Sequence, residues 1–93
     1  MKIVIAGRIR VKLRNKHKVS PEEVEQCFSN RLGGFLEDTR EQHRTSPPTQ
    51  WFIAETDSGR KLKIVFVNDG HELQIKTAYE PNQNEVKIYE RYS

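Results

Sequence analysis

Apolar and polar side chains alternate along much of the C-terminal half of this chain, the period of two that marks half-buried strands. Trp51 to Thr56, Lys61 to Val67 and Glu72 to Ala78 each read this way. Asp57-Ser58-Gly59 and Asn68-Asp69-Gly70 separate them, and glycine in a three-residue loop supplies the left-handed position that such hairpins need. Strands joined in this way form an antiparallel meander. Alternation puts Leu62, Ile64 and Phe66 on one face, against helices, and Lys61, Lys63, Val65 and Val67 on the other. Leu73, Ile75 and Thr77 share a face in the last strand, with Gln74 and Lys76 opposed. If both strands bury their more apolar side, Lys61, Lys63 and Lys76 stand together on an open cationic face.

The N-terminal half carries a different period. Lys2 to Ile5 is a short β-branched run and predicts a first strand. Ile9, Val11 and Leu13 alternate with cations as a strand would, but Ile5, Ile9, Leu13 and His17 also recur every fourth residue. Three alternating cations would crowd one face of a strand, and Arg, Lys and Leu favour helix, so a helix over residues 7–17 is predicted. Ser20-Pro21-Glu22-Glu23 offers an N-cap hydroxyl, proline at the first helical position and glutamate at the third. Val24, Cys27 and Phe28 form the buried stripe of the helix that follows, and Gly33-Gly34 is read as its end. Phe35 to Thr39 predicts a short strand before a polar loop closed by Pro47-Pro48. Asn82-Gln83-Asn84-Glu85 repeats the capping pattern ahead of Val86, Ile88, Tyr89 and Tyr92 in a last helix. The expected fold is α+β, one domain over residues 1–93. A small antiparallel sheet, made of the meander plus one or two short strands, packs against helices in the order β-α-α-β-β-β-β-α.

Composition narrows the chemistry. With 93 residues and mean hydropathy −0.83, the apolar residues suffice for one thin core and leave little room for a deep enclosed substrate cavity. No apolar run is long enough to cross a membrane or to serve as a signal peptide. Cys27 is the single cysteine, which excludes an internal disulfide and points to a reducing cytoplasm. It lies on an apolar stripe and reads as a core residue.

Charge is unevenly spread. Residues 1–18 carry seven Lys and Arg and no acid, whereas residues 19–93 carry nine against thirteen acids. Arg8, Arg10, Lys12 and Arg14 form a basic segment suited to phosphates or an acidic partner; the plain alternative is a solvated helix face.

No nucleotide-binding glycine loop, nucleophile elbow or zinc-binding histidine pair is present, and no cofactor or metal is expected. Metal-free RNA cleavage through the 2′-hydroxyl needs only a proton acceptor, a proton donor and cations near the phosphate. Candidates are His43 or Tyr79 for proton transfer, with Arg40, Arg60, Lys61, Lys63 and Lys76 for phosphate binding.

Leu13-Arg14-Asn15-Lys16-His17-Lys18-Val19-Ser20-Pro21-Glu22-Glu23-Val24 resembles the Lys-His-Gly-Val-Ser-x-Glu-Glu-Ala stretch of BrnT-type toxins. The meander, with Arg60 after the turn glycine, and the Tyr-containing C-terminal helix follow in the same order. The resemblance implies a small RelE/ParE-like α+β ribonuclease of a bacterial toxin–antitoxin pair, with RNA as substrate and a DNA-binding, BrnA-like antitoxin as partner. This chain has Tyr79 where that pattern carries arginine, Trp51 at another arginine position, and Lys18 in place of the glycine. Tyrosine cannot supply the bidentate phosphate clamp of arginine. A non-catalytic module that binds nucleic acid or protein through the basic segment is the alternative.

Overall fold

Five strands form one sheet in the computed structural model, which describes residues 1–39 and 46–93. They are β1 (Lys2–Val4), β2 (Leu36–Glu37), β3 (Thr49–Glu55), β4 (Lys61–Asn68) and β5 (Glu72–Tyr79), in spatial order β1-β5-β4-β3-β2. Helix α1 (Gly7–Lys12) runs directly into a π-helical turn (Leu13–His17), followed by α2 (Pro21–Asn30); α3 (Gln83–Tyr92) follows the sheet. The element order is the one the sequence predicts. The pairing is not wholly antiparallel, because β1 lies parallel to β5, with Ile3 opposite Leu73.

Local signals account for most element ends. Ser20 and Glu23 form the predicted capping box, as do Asn82 and Glu85. Gly59 and Gly70 take positive φ in the two hairpin turns, where a Cβ would be strained. The predicted helix over 7–17 is split in character, since its last five residues widen into the π turn. That turn closes at Lys18, which has φ 57 and donates its N–H to the Leu13 carbonyl. A lysine pays a steric cost in this left-handed position. Lys18→Gly is expected to raise stability by about 0.5–1 kcal/mol, checked by urea denaturation. Gly33-Gly34 does not cap α2, which ends at Asn30 with Arg31 already extended.

The core lies between the sheet and the α1–π–α2 layer. Leu62, Ile64 and Phe66 are all fully buried, as alternation predicts, with Phe52 and Ala54 beside them on β3. Leu13, Val19, Val24 and Cys27 close this layer from the helix side. Phe28, Phe35, Phe52 and Phe66 meet at tilted and edge-to-face angles, with centroids between 4.7 and 6.3 Å apart. Cys27 donates its thiol to the Ala54 carbonyl, and burial pushes its pKa up to about 11. It is part of the core.

Alternation fails in β5. Val65 faces Thr77 but Phe66 faces Ile75, so Lys76 is the extra residue of a β-bulge. Ile75 and Ala78 therefore both reach the core, three residues apart, while Thr77 turns to the opposite face with Val65. No described helix is long and apolar enough to cross a membrane.

A candidate nucleic-acid interface

The opposite face of the sheet is not an open cationic surface. Lys63 lies on it, but its neighbours there are Trp51, Ile53, Val65 and Tyr79, and α3 packs over the β3 side through Tyr89 on Trp51. The Lys63 ammonium sits 4.4 Å from the Trp51 ring centroid and donates to Glu85 Oε2 of α3 at 2.8 Å. Only 13% of its side chain is exposed. Lys61 is exposed at the start of β4, opposite Glu55 across the ladder, and Lys76 is exposed at the bulge. The expected cluster of three lysines is therefore dispersed, because one is covered by a helix and the bulge breaks the register of another. Arg40 and His43 lie outside the described residues.

Arg60 is also committed elsewhere. Its guanidinium donates to the His17 carbonyl at 3.0 Å and the Lys18 carbonyl at 2.7 Å. It also pairs with Glu23 at 3.1 Å and Glu80 at 2.9 Å. These contacts join the π turn, the N-terminus of α2 and the exit of β5. Burial tends to raise the Glu23 carboxyl, but the Ser20 N–H and Arg60 outweigh it and hold the group below its ordinary value. Arg60 is a structural staple, with most of its donors already used.

Tyr79 occupies the predicted position at the end of β5 but meets a residue that the local sequence does not single out. Its ring lies 5.6 Å from that of His17, centroid to centroid, on the π turn. Burial and the positive charges of Lys16 and Lys12 lower the His17 pKa, so its imidazole is neutral near pH 7 and can accept a proton. Burial, helped by the hydrogen bond to Glu85, raises the Tyr79 pKa and keeps its hydroxyl protonated. That hydroxyl donates to Glu85 Oε2 at 2.8 Å. The sequence places His17 on an apolar helical stripe and in the Lys-His pair of the toxin-like stretch, with no role attached, and Glu85 only in a capping box. Both tertiary partners come from distant segments, so spacing along the chain carries no sign of them.

Arg8, Arg10, Lys12, Arg14 and Lys16 are exposed. Among the described residues no carboxylate lies within ion-pair distance of any of them. Arg8 and Lys12 form one flank of α1, with Lys12 close enough to His17 to depress its pKa. Arg10 and Arg14 form the other flank, where Arg10 shares a recess with Glu22 and Glu25 of α2. Among the described residues no three His, Cys, Asp or Glu side chains gather as a metal site would require. The geometry thus offers a basic strip that runs to a histidine–tyrosine pair. No family model, curated protein or solved structure gives a significant match to this chain.

Proposed function

We propose that the chain is a nucleic-acid-binding protein that tracks a phosphate backbone with α1 and the π turn. The observation that carries this reading is the run of five exposed cations without carboxylate partners among the described residues. Cations that are neither paired nor buried remain available to phosphates, and their binding releases counterions. The expected result is a complex with single-stranded RNA whose log affinity falls against log salt with a slope of about −3.5 for five phosphate contacts. A complex indifferent to salt, or none at low salt, overturns the reading.

The pairing of His17 with Tyr79 favours a second reading, a metal-independent ribonuclease of the toxin type. A neutral imidazole can take the 2′-hydroxyl proton, and a protonated phenol can give one to the leaving oxygen. The resemblance to BrnT-type toxins supports it and brings with it an antitoxin partner. Under this reading the folded protein cleaves an RNA oligonucleotide, and His17→Ala abolishes cleavage while leaving binding intact. Absence of cleavage by the folded wild-type protein rejects it.

A further inference from the structure

Lys63 is out of character with its surroundings. Its nearest neighbours on that sheet face are Trp51, Ile53, Val65 and Tyr79, with Lys61 and Glu55 at the end of the ladder. Covered ion pairs of this kind often add no more stability than apolar residues of similar volume. What the arrangement does provide is a cradle for an anion. The Lys63 ammonium and the Tyr79 hydroxyl converge on one oxygen, Glu85 Oε2, at 2.8 Å each, with the indole of Trp51 alongside. The second oxygen, Oε1, has a separate task, accepting the Asn82 N–H at 3.0 Å to close the capping box of α3. Helix α3 is held by Tyr89, its one buried residue, whose hydroxyl donates to the Gly34 carbonyl at 2.7 Å, and by Val86 packed partly against the core. A recess of about 600 Å³ opens beside Trp51, Lys63 and Glu85, with Glu37 and Asp38 also in its lining, so a ligand's phosphate must seat at Lys63 and its uncharged base toward that side.

We propose that Lys63 and Tyr79 form a site for the phosphate of a nucleotide, with Trp51 as the platform for its base. The Glu85 carboxylate of α3 fills this site as a resident stand-in, so that ligand binding requires it to leave. Only the class of ligand rests on the nucleic-acid-binding reading; occupancy by Glu85 does not. A site closed most of the time binds more weakly in proportion to the fraction that is open.

Trp51 is the only tryptophan, so its emission reports the site directly. Adenosine monophosphate and inorganic phosphate are titrated into the full chain and into two variants. Glu85→Gln keeps an oxygen for Asn82 but turns an amide N–H toward Lys63 and Tyr79, and Glu85→Ala empties the cradle. Far-UV circular dichroism confirms that each variant is folded. Both are expected to bind the nucleotide about tenfold or more tighter than wild type, and the gain disappears when Lys63→Met is added. Affinity equal to wild type in both folded variants, or a gain that survives Lys63→Met, overturns the proposal. Inorganic phosphate binding as tightly as the nucleotide overturns the role given to Trp51. Loss of the salt-dependent RNA complex bears on the α1 reading alone and leaves these titrations standing.

Discussion

Arg60→Ala is expected to destabilise the fold by about 3 kcal/mol, since a hydrogen bond to a charged group is worth roughly 1.5–3 kcal/mol and several are lost together. The side chain satisfies two backbone carbonyls and two carboxylates drawn from three separate parts of the chain. Partial exposure of the Glu23 pair and the outward position of Glu80 keep the total below a simple sum. In a domain of this size the loss corresponds to a drop in Tm of roughly 15 °C. Arg60→Lys retains the charge but cannot reach four acceptors, and is expected to recover less than half of the loss. A variant within about 1 kcal/mol of wild type would show that the staple is dispensable.

The same pair contributes to behaviour in acid, beside Glu85 and Asp69, whose carboxyls are also held below their ordinary values. The folded Glu23 carboxyl lies below its ordinary value of 4.5, so its stabilising contribution is complete above pH 4.5 and is lost as pH falls through the folded pKa. Arg60→Ala removes part of that depression. Its stability should therefore fall less steeply than that of wild type below pH 4.5, as followed by urea midpoints across the acid range.

The second large effect concerns binding. Arg8→Glu combined with Lys12→Glu is expected to weaken the low-salt RNA complex by about 100-fold and to flatten the salt slope by about 1.5 units. These two residues occupy the flank of α1 that adjoins His17, and no carboxylate pairs with either among the described residues. The corresponding reversal of Arg10 and Arg14 should cost less, because Arg10 lines a recess together with Glu22 and Glu25, whose charge opposes a phosphate there. Competition measurements on the folded variants separate the two flanks. Equal losses would mean that the whole helix contributes without preference, and no loss at either flank would move the interface elsewhere.

Features determined within a few residues of each other were legible in the sequence. Both capping boxes, both glycine turns and the burial of Leu62, Ile64 and Phe66 follow from local patterns that the structure repeats. The bulge at Lys76 was not legible, because it depends on which residue of β5 the packing of Ile75 and Ala78 pulls inward. For the same reason the supposed open face of the sheet misled: whether α3 lies over Trp51 and Lys63 is decided by Tyr89 and Glu85, from a segment whose own pattern says only that it is helical. The candidate site shows the contrast within one residue pair. Tyr79 stands at a predicted strand end, but its partner His17 is brought to it by a π turn and the Arg60 contacts. Neither leaves a periodic trace.

The parallel seam between β1 and β5 constrains how the molecule can be made. Ile3 and Val4 find their ladder partners in Leu73 and Gln74, about seventy positions downstream. During synthesis this strand must wait, unpaired, until the closing hairpin has emerged from the ribosome and can receive it. A chain interrupted before that hairpin would display a β-branched segment with nothing to zip against, an invitation to chaperones and proteases that the finished sheet withdraws.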